Sequence, residues 1–145
     1  MADPRATVLY DYDCGFCRWA LAKLLAWDRN GRLRPAPIQS ADGDRLLAGM
    51  SEEERLASWH LVEDGEVRSG GAAFEPLLRR LPGGAPLAAL AGRFPAATEK
   101  AYRAVAGRRG TIGPRLTAGA KRRADRRIAA RESSGGSSAS RPGPP

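Results

Sequence analysis

The stretch Thr7-Val8-Leu9-Tyr10-Asp11-Tyr12-Asp13-Cys14-Gly15-Phe16-Cys17-Arg18-Trp19-Ala20-Leu21-Ala22-Lys23-Leu24 decides how this chain folds. Thr7 to Tyr12 reads as a short buried strand, close to continuous in apolar residues, as parallel strands with two covered faces are. A helix follows directly. Cys17, Ala20, Leu21 and Leu24 recur at helical spacing and form an inward stripe, Arg18 and Lys23 fall off it, and Asn30-Gly31 supplies a stop. Cys14 lies one turn before Cys17, at the helix tip.

Cys14 and Cys17 are the only cysteines in the chain. Residues three apart in a helix share a face at about 5 to 6 Å, within the roughly 4.4 to 6.8 Å Cα spacing that a disulfide needs. The pair can therefore open and close without rearranging the backbone. As a staple it does little, because so short a loop contributes only about 2 kcal/mol in the chain-entropy estimate. Redox switching is the better reading of the spacing.

Two cysteines in 145 residues do not make a disulfide framework, and 42% hydrophobic residues suffice for a core without cross-links. The N-terminal residues lack the basic-then-apolar pattern of a signal peptide, and no apolar run approaches the roughly 18 residues of a membrane span. A cytoplasmic, reducing location is the expectation, and there a C-x-x-C is more often catalytic or metal-binding than structural.

The net charge of +8 resembles a nucleic-acid signal until it is divided along the chain. Residues 1–107 carry 14 Lys and Arg against 14 Asp and Glu; residues 108–145 hold the other 10 basic residues against Asp125 and Glu132. The excess is confined to the end of the chain.

Leu33 to Gln39 reads as a second strand, and Pro35 and Pro37 restrict it to a sheet edge. Asp44 to Leu56 is expected as two helical pieces broken near Gly49, with Ser51-Glu52-Glu53-Glu54 fitting a capping box. Ser58–Glu63, Asp64-Gly65 and Glu66–Ser69 give the strongest hairpin signal. Phe74, Leu77, Leu78 and Leu81 form another helical stripe, stopped by Pro82-Gly83-Gly84, and Leu87–Leu90 suggests a short helix. Thr98–Arg108 reads as a further helix with Thr98 as its N-cap. Residues 115–132 are rich in Arg and Ala with few large apolar groups to bury, and Ser133–Pro145 is Ser, Gly and Pro. The expectation is a domain over residues 1–113 and a disordered basic tail over 114–145, with transient helix at Ala118 to Arg131.

The element order is strand, helix, strand, helix, hairpin, helix. A right-handed crossover joining the first two strands in parallel makes this an α/β fold, a four-stranded mixed sheet flanked by helices in the thioredoxin-like arrangement. The second strand of that minimal core lies at an edge, in agreement with Pro35 and Pro37.

At this point the chain resembles the DCC family of predicted thiol-disulfide oxidoreductases, named for an Asp-Cys-x-x-Cys signature. The matching residues are Tyr10 to Cys17, Trp27-Asp28-Arg29, Pro37-Ile38-Gln39, Leu61 to Val67 with Gly71-Ala72-Ala73, and Tyr102 to Ala106 with Arg108-Arg109. Tyr12 stands where the family usually has Gly. Ala57-Ser58 stands where thioredoxins proper have a cis-proline facing the C-x-x-C, which speaks against docking of an extended substrate in their manner.

The helix N-terminus favours an anion, which makes Cys14 the attacking thiolate and Cys17, one turn in, the resolving thiol. Asp11, Asp13, Gly15 and Phe16 support the motif. The two aspartates act through proton management or turn geometry, or Asp13 caps the helix. Trp19 is close enough to line a substrate cleft. The alternatives are two thiols that merely pack, or metal ligands; Zn²⁺ wants four, and the one other soft candidate is His60, which reads better as a packed strand residue. No metal or organic cofactor is implied. A protein or small thiol is the expected redox partner. A non-enzymatic module using the basic tail, with Lys121-Arg122-Arg123 and Arg126-Arg127, to hold nucleic acid or an anionic surface is the rival reading. No aromatic residue follows Tyr102, so base stacking in the tail is absent.

Overall fold

The computed structural model describes residues 4–135. In chain order it forms β1 (Ala6–Tyr10), α1 (Gly15–Trp27), β2 (Leu33–Pro37), α2 (Ala41–Leu46), α3 (Glu52–Ala57), β3 (His60–Glu63) and β4 (Glu66–Ser69). After a 3-10 turn at Gly70–Ala73 come α4 (Phe74–Arg80), α5 (Ala85–Arg93), α6 (Pro95–Ala106) and α7 (Arg109–Ile112), then a second 3-10 turn at Gly113–Arg115 and α8 (Ala118–Gly135). The strand order is β2-β1-β3-β4, with β1 parallel to β2 and antiparallel to β3, and β3 antiparallel to β4. The thioredoxin-like arrangement expected from the element order is present.

Local chemistry accounts for most boundaries. β2 pairs with β1 and sits at the sheet edge, where Pro35 and Pro37 remove no ladder bond to a second neighbour. The β3–β4 turn places Asp64 at φ 51° and Gly65 at φ 80°, the left-handed pair that a tight hairpin requires. Ser51 and Glu54 form the capping box of α3. Thr98 is not the cap of its helix: α6 starts at Pro95, where a missing N–H costs nothing, and Thr98 Oγ1 donates to Phe94 O at 2.9 Å.

β1 feeds two cores by alternation. Ala6, Val8 and Tyr10 face a core with Leu21, Leu25, Leu77, Leu81 and Ile128, while Leu9 joins Ala36, Ile38, Leu47 and Val62 on the opposite face. Burial along α1 departs from the single expected stripe. Leu21, Ala22 and Leu25 are buried, and Leu21 also lines a cavity together with half-buried Cys17, Ala20 and Leu24. The helix therefore divides its apolar surface between the core, α8 and an open cleft.

The expected disorder of the chain end does not hold for α8, which packs on α1 with Ala124 and Ile128 each only 4% exposed. Burying an isoleucine side chain contributes about 1.5 to 3 kcal/mol, and small alanines let the two helix backbones approach. Residues 136–145 of the expected tail lie outside the described residues. Among the described residues no helix is long and apolar enough to cross a membrane.

Candidate functional site

The loop from β1 to α1 is held by one carboxylate. Asp11 Oδ1 accepts from Asp13 N–H at 3.0 Å and from Gln39 Nε2 at 2.8 Å, and Asp11 O accepts from Cys14 N–H at 3.2 Å. Gln39 Oε1 accepts in return from Tyr12 N–H at 3.1 Å. An aspartate bonding the backbone two residues on is a ready turn former, and Gln39, just past β2, buckles that turn to the neighbouring strand. Of the two roles weighed for Asp11, turn geometry is what these bonds show.

The cap of α1 is Cys14, not Asp13. Cys14 has extended backbone, and its Sγ accepts from Cys17 N–H at 3.3 Å, filling one of the orphan donors of the first turn. Cys17 Sγ lies 2.6 Å from Cys14 Sγ and donates to it; both thiols are free and half-buried. Burial first, then the hydrogen bond and charge of Cys14, push the Cys17 thiol up to about 12, against the opposing charge of Arg109. One sulfur thus accepts hydrogen bonds while the other keeps its proton.

The surroundings come from distant parts of the chain. A Cβ placed on Gly15 would lie 3.5 Å from Lys121 Cε of α8, and one on Gly113 would lie 3.6 Å from Phe16 N, so the end of the chain passes beside the motif. Exposed Tyr12 is covered by the Arg18 guanidinium 5.4 Å from its ring centre. Phe16 and Trp19 approach at 6.0 Å between centroids.

Next to Cys17 opens a cavity of about 670 Å³ between α1, the sheet, α4 and α6. Trp19 lines it, as do Trp27, Trp59, Phe74 and Tyr102; Cys14 does not. Phe74 meets Trp59 edge-on at 5.2 Å and Tyr102 at 5.9 Å. Tyr102 Oη accepts from Trp59 N–H at 3.4 Å, and burial pushes its pKa above the ordinary tyrosine value. Gly71 allows this wall to form, because a Cβ there would come within 2.6 Å of Glu99 Cα on α6, whose carboxylate accepts from Gly71 N–H at 2.7 Å. Ser58 lines the cavity from two residues before β3, and no described peptide bond is cis.

His60 is away from this chemistry. Its Nε2 is 2.8 Å from Arg55 O, which only accepts, so Nε2 carries the proton and Nδ1 accepts from Ser69 Oγ at 2.6 Å. Burial lowers its proton affinity below that of an ordinary histidine. No group of three or more His, Cys, Asp or Glu among the described residues is arranged to hold a metal ion.

The residues that the sequence left unmarked as site-forming are Phe74, Tyr102 and Arg109, whereas the tryptophans read as core or surface-cleft residues. Tyr102 and Arg109 fell within the blocks that carried the resemblance, which was their one signal. No curated protein and no solved structure matches the chain. The DCC1-like thiol-disulfide oxidoreductase family matches residues 8–115, from β1 and the cysteine pair through the second 3-10 turn. With the C-x-x-C at the start of α1 and a match spanning most of its length, the chain belongs to the DCC1-like thiol-disulfide oxidoreductase family.

Proposed function

We propose that Cys14 and Cys17 form a redox-active pair that exchanges thiols and disulfides with a partner. The observation that carries this reading is the pairing of unequal sulfurs: Cys14 Sγ, at the helix cap, accepts from both the N–H and the S–H of Cys17, whose own proton is held to about 12. A thiolate is the attacking species. Cys14 attacks a substrate disulfide, forms a mixed disulfide and expels the first thiolate. Cys17 then loses its proton and attacks Cys14 Sγ, releasing the second thiolate and closing the protein disulfide. Arg109, whose charge opposes the upward shift at Cys17, favours that proton loss.

The test is trapping. Cys17→Ser should accumulate a mixed disulfide visible by intact mass after treatment with oxidised glutathione, and Cys14→Ser should accumulate none. Equal trapping by both variants, or by neither, would overturn the assigned roles.

A second reading, a binding module for polyanions, is favoured by the exposed Arg122, Arg123, Arg126 and Arg127 on α8. It requires affinity for a nucleic acid or an anionic vesicle that falls steeply with salt and is unchanged in the Cys14→Ser, Cys17→Ser double variant.

A further inference from the structure

We infer that the cavity beside Cys17 is the substrate pocket of the redox pair, and that it selects small thiols and disulfides with an aromatic or otherwise apolar body and an anionic end. This rests on the redox reading of Cys14 and Cys17 and names its substrate class.

A volume of about 670 Å³ falls in the roughly 300 to 1,000 Å³ range of small-molecule sites, which are apolar with a few placed polar groups. All three tryptophans of the chain line this one space. Val105 lines it while remaining 49% exposed, so the cavity opens to solvent along α6. An apolar opening that reaches a thiol has a use in delivering an apolar molecule to sulfur.

The charges decide which end such a molecule carries. Asp11, Lys23 and Arg109 are the ionised side chains in the lining. Asp11 is committed to Gln39 and to Asp13 N–H. Arg109 donates one N–H to Leu56 O at 3.2 Å, and a guanidinium has five. Lys23 Nζ stands 5.5 Å from the centre of the Trp19 ring. Two basic side chains against one carboxylate that is already hydrogen-bonded leave the lining net positive, which complements an anion.

Position then fits the chemistry. Cys17 is in the wall, and Cys14, outside the lining, has its Sγ 2.6 Å from Cys17 Sγ, so a body seated in the cavity brings its sulfur up to Cys17 and beside the attacking Cys14. With a disulfide R–S–S–R, a Cys14–S bond forms as the substrate S–S bond breaks and RS⁻ leaves. Cys17 displaces the second RS⁻ from Cys14. The protein dithiol loses two electrons and two protons, and the substrate becomes two thiols.

The experiment is single-turnover oxidation of the reduced full chain by three disulfides: 5,5′-dithiobis(2-nitrobenzoate), neutral 4,4′-dithiodipyridine, and polar oxidised glutathione. Each rate is divided by the rate of the same disulfide with dithiothreitol, which removes intrinsic reactivity. The expected order is the nitrobenzoate first, ahead of glutathione by about tenfold or more, the scale on which apolar pockets discriminate. Ala101→Trp, at an exposed position that lines the cavity, should slow both aromatic disulfides several-fold and leave glutathione unchanged. Arg109→Gln should slow the nitrobenzoate more than the dipyridine. Normalised rates equal across the three disulfides in the parent protein, or aromatic rates untouched by Ala101→Trp, would overturn the pocket assignment while leaving the redox reading standing. Absence of exchange with all three would overturn the redox reading itself.

Discussion

Arg131, on α8, donates from Nη1 to the carboxylate of Asp28, which closes α1, is 0% exposed and lies 103 positions earlier in the chain. Asp28 also accepts from the N–H groups of Arg32 at 3.0 Å and Leu33 at 2.9 Å. The second Arg131 nitrogen donates to Leu25 O at 3.2 Å and Asp28 O at 3.0 Å, so one guanidinium satisfies a buried acid and the carbonyl end of α1 together.

Removing Arg131 leaves that acid buried with two backbone donors and no countercharge. Breaking a buried pair by deleting one partner typically costs about 3 to 5 kcal/mol. Arg131→Ala should lose stability on that scale in urea unfolding, while exposed Arg126→Ala should change it by less than about 0.5 kcal/mol. Truncation after Thr117 should cost at least as much as Arg131→Ala, because Ile128 leaves the core with it. Melting curves unaffected by truncation would restore the expectation of a disordered tail.

His60 should make the fold acid-sensitive. Its proton affinity is depressed in the folded protein by burial, so the unfolded chain binds more protons as pH falls below about 6.5, the ordinary histidine value. Stability present above that pH is then lost on acidification. Urea midpoints should fall between pH 7 and pH 5, and His60→Gln should flatten the slope over that interval.

Cys17 should act in the opposite direction. Its folded value of about 12 lies above the unfolded thiol near 8.5, so its contribution is complete below the unfolded value and is lost as pH rises toward the folded one. Iodoacetamide labelling of the reduced protein, resolved by peptide, should show the Cys17 rate still rising about tenfold per pH unit between pH 8 and 10. A plateau at Cys17 in that range would contradict burial and the neighbouring Cys14 as what holds its proton.

Gln39→Ala should separate geometry from stability. The side chain is exposed, and its two bonds to the Asp11 turn contribute at most about 1 kcal/mol each. Thiol exchange should slow several-fold, since the turn that aims Cys14 loosens. Unchanged exchange kinetics would show that Asp11 holds the loop unaided.

What the sequence determined by itself rests on neighbours along the chain. Pro35 and Pro37 restrict β2 to an edge, Asp64-Gly65 closes a hairpin, Ser51 and Glu54 cap α3, and residues 14 and 17 meet at one helix tip, each because the groups involved lie within a few residues. Only the tertiary structure decided the fate of α8. Counting large apolar residues missed a surface made of Ala124, Ile128 and an arginine whose partner lies at the far end of α1. The cavity was hidden for the same reason. Its aromatic wall joins Trp19, Trp59, Phe74 and Tyr102 from four separate segments, and no periodicity in a sequence records which separate faces a fold will bring together.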